Sequence, residues 1–223
     1  MSPVISSMNA MHAKPCGPGR PKDLEKRAAI LDAAKLLFLE HGFDGTSMDA
    51  IATQAGVSKL TVYSHFTDKE CLFTEAVREK CAEQMPTELF DVDAGGSLRD
   101  QLIAIAQAFF SLVTSEASIS LHRLLTTGAG GSAKLAQKFW EAGPQTLQGV
   151  FSDFLEREVS AGQLAIADVK RASEQFFCLL KGDLHARQLC GCADVSLDQS
   201  NVDAHLEATV DMFMRAYAPV HNA

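Results

Sequence analysis

The chain has 223 residues, 47% hydrophobic and 22% charged, a balance that excludes disordered and fibrous classes and fits a globular protein. At that length a chain buries roughly 70% of its unfolded surface without metal or disulfide staples. The net charge of −8, from 28 acidic and 20 basic side chains, argues against a nucleic-acid partner only if it is spread evenly, because phosphate affinity rests on Lys and Arg. It is not. Residues 1–80 carry ten bases and ten acids, residues 81–223 ten bases and eighteen acids, so the whole acidic excess lies in the second part. Six cysteines are scattered, and the N-terminal stretch lacks a basic start followed by an apolar run. Neither a disulfide framework nor a secretory leader is expected. The most apolar segment, 101–113, is interrupted by Gln107 and is too short to cross about 30 Å of hydrocarbon. A cytoplasmic protein with no membrane partner is the expectation.

Residues 1–21, with Pro15, Gly17, Pro18, Gly19 and Arg20, read as a flexible basic arm. From Lys22 the apolar residues Ile30, Leu31, Ala34, Leu37 and Phe38 recur at helical spacing, and Gly42 closes the run. Thr46 is the expected N-cap of a second helix, its hydroxyl accepting the Asp49 N–H, with Met48, Ile51, Ala52 and Ala55 as the buried stripe. That helix stops at Gly56. In Gly56-Val57-Ser58 the glycine supplies a left-handed turn, the valine an apolar plug and the serine the next cap. A third helix then runs from Lys59 to near Thr67. Thr67-Asp68-Lys69-Glu70 reads as a capping box opening a fourth, whose buried stripe is Leu72, Phe73, Ala76 and Val77. The domain boundaries that follow are 22–68 and 69–223. Beyond Pro86 the pattern stays helical, with breaks at Gly95-Gly96, 128–131, Gly143-Pro144, Gly162 and Gly191. Its last two helices are expected at about 167–189 and 199–217. With no period-two stretch of strand length, the chain reads as all-α.

Two short helices joined by Gly-Val-Ser are what a helix-turn-helix requires: the second helix projects into a major groove about 12 Å wide while the first braces it. An αα-hairpin within a bundle core has a similar local pattern. On the second of the two helices Lys59, Thr61, Tyr63, Ser64 and His65 are all hydrogen-bond donors. The alternative to DNA binding is a helical interaction module that packs protein.

Residues 29–34 (Ala-Ile-Leu-Asp-Ala-Ala), Phe38, His41-Gly42-Phe43, Thr46, Ile51-Ala52, Ala55-Gly56-Val57-Ser58, Thr61-Val62-Tyr63-Ser64-His65-Phe66 and Lys69-Glu70-Cys71-Leu72-Phe73 resemble the DNA-binding domain of the TetR/AcrR family of transcriptional regulators. The stretch from Phe139 to Pro144 resembles an AefR-like C-terminal subgroup. The resemblance implies an N-terminal three-helix DNA-binding domain and a C-terminal helical domain that binds a small-molecule effector and forms a homodimer. It further implies a repressor released from a palindromic operator by its ligand. By the same resemblance Thr46, Ser58, Lys59, Thr61, Tyr63, His65 and Lys69 form the DNA-binding set. Helix starts bring Thr46 and Lys69 to phosphate, while Lys59 and Thr61 are placed to read base edges. Leu60 stands where the family often has a small residue; it either meets a thymine methyl or packs. Arg20, between Gly and Pro, is expected either to enter an A·T-rich minor groove or to remain a solvated linker.

For the effector the candidates are Phe109, His122, Arg123, Trp140, Phe154 and Gln175, apolar walls with a few orienting polar groups. Phe176, Leu180, Val210 and Phe213 are the dimer candidates, against packing inside the domain. His185, Cys190 and Cys192 form H-x4-C-x-C, for which a metal or redox role is weighed against ordinary burial; burial is preferred, and no metal or cofactor is expected. No nucleophile elbow, phosphate loop or metal-binding helix motif is present, so no enzymatic activity is expected.

Overall fold

The computed structural model describes residues 21–91, 96–126, 133–192 and 198–219; Arg20 and the rest of the arm lie outside them. Among the described residues every regular element is helical. The chain divides into two compact units between Ala76 and Val77.

The first unit holds α1 (Pro21–Gly45), α2 (Met48–Gln54), α3 (Lys59–His65) and the opening turns of α4 (Lys69–Gln84). Its core is the stripe expected from the sequence: Ile30, Leu31, Ala34 and Leu37 of α1 meet Ile51 and Ala52 of α2, Val62 and Phe66, and Leu72 and Ala76 of α4. Each fully buried Leu or Ile contributes about 1.5–3 kcal/mol. Because Leu72 and Ala76 belong to this core, the unit ends inside α4 rather than at 68. The helical run of α1 is interrupted at Gly42, whose φ of 70° is left-handed and free of penalty only for glycine. Across that kink Phe38 and Phe43 form a triad with Phe73, with centroids 5.6–5.7 Å apart. Arg27 closes the other side, paired to Glu75 at 2.6 Å and lying over the Phe66 ring.

In the second unit α5 (Leu98–Thr114) opens on a capping box made by Ser97 and Asp100. It packs against both α9 (Val169–Cys190) and α10 (Gln199–Ala216), while α6 (Glu116–Thr126), α7 (Ala133–Ala142) and α8 (Pro144–Ser160) complete the bundle. Phenylalanines carry the core: Phe151 lies 4.8 Å from Phe176 and 5.0 Å from Phe177, and Phe176 lies 4.9 Å from Phe213. Inside α9 the backbone breaks at Gly182 (φ 49°). His205 of α10 fills the notch, its Nε2–H donating to the Leu180 carbonyl at 2.9 Å. A Cβ at position 182 would stand 2.8 Å from the His205 ring, so that close approach requires glycine. Cys81, Cys178, Cys190 and Cys192 are free thiols.

Candidate nucleic-acid interface

The α2–α3 pair is built as a rigid bracket. Gly56 takes φ 65°, and a Cβ there would meet nothing within 4 Å, so the requirement is for backbone conformation rather than space. The turn lets the Val57 N–H reach the Ala52 carbonyl at 3.0 Å. Ser58 caps α3, its Oγ accepting the Thr61 N–H at 3.1 Å and lying 2.8 Å from the Thr61 hydroxyl. Along α3 the residues sort by helical spacing: Val62, His65 and the following Phe66 turn inward, whereas Lys59, Leu60, Tyr63 and Ser64 face out. Leu60 is 80% exposed. It does not pack against the described residues and is open to an apolar contact such as a thymine methyl.

Three expected DNA contacts are placed otherwise. Thr46 is only 2% exposed; its Oγ lies 2.9 Å from the Leu37 carbonyl and 2.7 Å from that of Gly42, so its one proton serves carbonyls near the end of α1. The cap of α2 is the exposed Ser47, which accepts the Ala50 N–H. His65 shares the inward face with Val62, is 7% exposed, and holds Nε2 2.8 Å from an Asp23 carboxylate oxygen, an approach too poorly aligned to be a hydrogen bond. Lys69 directs its ammonium to the carbonyls of Phe43 (2.5 Å) and Thr46 (2.8 Å) and lies over the Phe43 ring. It therefore fastens the α1–α2 turn. The first free N–H groups of α4 are capped by Asp68, which accepts from Cys71, one residue later than expected.

Lys59 remains exposed, with its ammonium 2.8 Å from Asp49 of α2. The hydrogen bond to Asp49, and then its charge, hold the Lys59 ammonium above the usual lysine range. An exposed pair of this kind adds little stability, and a phosphate has to compete with Asp49 for the same cation. Asp49→Asn removes one carboxylate from the surface and frees Lys59, so we expect about three- to tenfold tighter DNA binding at 0.1 M salt. Fluorescence anisotropy on operator DNA checks it; unchanged or weaker binding would contradict it.

The chain matches two family descriptions, "Bacterial regulatory proteins, tetR family" over residues 30–76 and "AefR-like transcriptional repressor, C-terminal domain" over residues 100–219. It belongs to the TetR family. The HTH-type transcriptional regulator YdeS of Bacillus subtilis is 32% identical over 66% of this chain and 71% of its own length. The HTH-type transcriptional repressor ComR of Escherichia coli is 28% identical over 74% and 80%. Among solved structures, a TetR-family regulator from Mesorhizobium loti superposes with a TM-score of 0.70 at 25% identity, covering 89% of this chain and all of the other. The flavonoid-responsive regulator FrrA does so with 0.67 at 31% identity, covering 87% and 97%. This TetR-family chain is thus a DNA-binding transcriptional regulator and not an enzyme.

The other candidate residues of this TetR regulator are dispersed through its second unit. Phe109 and Phe154 are core, Phe109 packed 4.5 Å from Phe177 and Phe154 stacked 5.8 Å from Phe151. Trp140 is 48% exposed on α7. Arg123 donates to the carbonyls of Gln188 and Leu189 and so caps the end of α9. Gln175 accepts from the Tyr217 hydroxyl at 3.1 Å. Only His122 stands in a polar cluster, its ring 5.4 Å from Phe139 and 5.7 Å from His185. The proposed dimer residues Phe176, Leu180, Val210 and Phe213 are all buried in the unit's own core, because the broad apolar stripes of α9 and α10 face inward. The outer side instead carries Leu179 (41% exposed) and Met212 (43%). They flank a groove of about 380 Å³ lined also by Gln175, Cys178, Ala216, Tyr217 and, at its floor, the expected dimer residue Phe213. Among the described residues no group of three His, Cys, Asp or Glu is arranged for a metal, and Cys190 and Cys192 are exposed rather than buried.

Burial, then the neighbouring His122, pushes the His185 imidazole down to about 4. The folded protein thus binds this proton less readily than the unfolded chain, so stability is fully present above about pH 6.5 and falls between there and pH 4. His185→Leu is expected to flatten that slope in urea unfolding followed against pH; an unchanged slope would contradict the assignment.

Proposed function

We propose that this chain is a cytoplasmic homodimeric repressor that holds two α3 helices in successive major grooves of a palindromic operator and leaves DNA when a small apolar or aromatic molecule fills the second unit. The observation that carries the reading is the outward face Lys59, Leu60, Tyr63 and Ser64, with half-buried Thr61 at its edge, beside the Gly56 turn, within a family of transcriptional regulators. In it Lys59 and Thr61 reach base edges, Tyr63 positions the helix, and the Ser58 cap holds the first turn.

Dimerisation is supported by the exposed apolar strip of α9 and α10 and by the geometry of DNA, since one short helix touches too few bases for useful specificity whereas two about 34 Å apart read a palindrome. Release by ligand is supported by FrrA, described as flavonoid-responsive. It is also supported by a fold neighbour, FadR of Bacillus subtilis, solved with stearoyl-CoA. The element α4 belongs to both units, so a ligand that shifts it alters the spacing of the recognition helices. The ligand has to favour the released state by several kcal/mol.

A gel shift against the DNA adjoining the protein's own gene tests the reading, with light scattering for mass and a thermal-shift screen for effectors. A monomer without sequence preference would overturn it. Arg20 enters as a minor-groove contact: deleting residues 1–21 lowers affinity and flattens the slope of log K against log salt by about one unit per lost phosphate contact. An unchanged slope removes the arm from the interface.

A further inference from the structure

The second unit contains one polar cluster that neither DNA binding nor core packing uses. His122 of α6 places Nδ1 3.1 Å from the Ser118 carbonyl. A carbonyl only accepts, so Nδ1 carries the proton and Nε2 of the neutral ring keeps a lone pair. The His185 ring on α9 stands edge to face with it at 5.7 Å. His185 is 5% exposed, and its Nε2 is buried with no hydrogen-bond partner, as is the side-chain oxygen of Gln188. Positions 185 and 188 are three apart and share one face of α9. An unpaired buried polar atom is costly, and the Gln188 oxygen, which only accepts, calls for a donor. On the α7 side the wall is the Phe139 ring, 5.4 Å from His122.

The charges around the cluster narrow the donor. From α9, Lys181 acts on both imidazoles. From α6, Arg123 is engaged by the carbonyls of Gln188 and Leu189. Phe139 of α7 brings no charge, and among the described residues no carboxylate acts on either ring. Both imidazoles are held below the usual histidine range, chiefly by burial, which preserves their acceptor nitrogens at neutral pH. Lys181 repels an ammonium group, and an unsubstituted acyl chain offers no O–H or N–H.

We propose that the faces of α6, α7 and α9 that meet at His122, His185 and Gln188 bind the hydroxyl of an uncharged aromatic effector, a phenol, with its ring against Phe139. This assignment rests on the ligand-responsive reading above and names the chemical class of the ligand. The hydroxyl shares its one proton between an imidazole Nε2 and the Gln188 oxygen, while the apolar body of the ligand covers Phe139.

The test uses the full chain with 2-naphthol and its methyl ether, 2-methoxynaphthalene, two probes of nearly equal apolar area that differ in one O–H. Calorimetry and thermal shift are expected to show about tenfold tighter binding of the phenol. That preference falls to about onefold in His185→Phe and in Gln188→Met. In the unaltered protein, 2-naphthol and not the ether moves the imidazole 15N resonances of His122 or His185, a readout independent of whether the variants fold. Equal affinity for the two probes, a preference that survives in both variants, or unmoved imidazole resonances would overturn the proposal. Operator release is scored separately by gel shift. Phenol binding at this cluster without release supports the site and counts against the ligand-release reading, whereas release by another compound with no phenol binding overturns the site alone.

Discussion

Replacing Lys59 and Tyr63 together by alanine is expected to weaken operator binding by about 100-fold or more, with the circular dichroism spectrum and Tm unchanged. Both side chains point away from the core of the first unit, so their removal leaves no cavity. Each contact to DNA is worth about 1–3 kcal/mol, and a twofold-symmetric dimer loses it at both half-sites. Changing His65 in the same way acts by another route. His65 lies against Asp23 and Phe66 inside the unit, so its loss is expected in stability first and in DNA affinity only through the fold. Wild-type affinity in the Lys59/Tyr63 double variant would remove α3 from the interface.

The second large effect separates core from interface in the second unit. Phe176→Ala is expected to lower stability by about 3–5 kcal/mol, as large-to-small changes at fully buried aromatic sites do. Phe176 is 0% exposed and packed between Phe151 and Phe213, and the space it leaves cannot close without moving α8, α9 and α10 together. Met212→Lys, on the outer side of α10, is expected to leave the unit folded and shift its mass from dimer to monomer, because it places a charge in the apolar groove. Urea unfolding and light scattering distinguish the two. A Phe176 variant that is monomeric at full stability, or a Met212 variant that unfolds, would reverse the assignment.

The helical elements were largely legible because their signals are local: spacing of apolar residues, glycine at the turns and Ser58 at the cap of α3. Gly56 takes the positive φ that the sequence assigned to it, and Gly42 and Gly191, read only as breaks, take positive φ as well. Which side of a helix meets which neighbour was less legible. Thr46 and Ser47 are adjacent and both able to cap; Thr46 is turned inward onto the Leu37 and Gly42 carbonyls, which leaves the cap to Ser47. Lys69 looks like a phosphate anchor in a linear reading, yet the α1–α2 turn brings two carbonyls and the Phe43 ring to its ammonium. On α9 and α10 the apolar pattern covers more than one face. The largest residues, which the sequence offered for the interface, take the inner side, and the smaller set Leu179 and Met212 is left outside. The His122–His185 pair joins residues 63 positions apart on two helices, a proximity that no local pattern carries; the sequence singled out each histidine for a different role.

Hydroxyl-radical footprinting on the DNA adjoining the gene tests the central claim most directly. Two symmetric protected patches, their centres about 34 Å or one helical turn apart, saturating together at two chains per site and absent with the Lys59/Tyr63 double variant, are the predicted result. A single patch, or protection that the double variant reproduces, would contradict it.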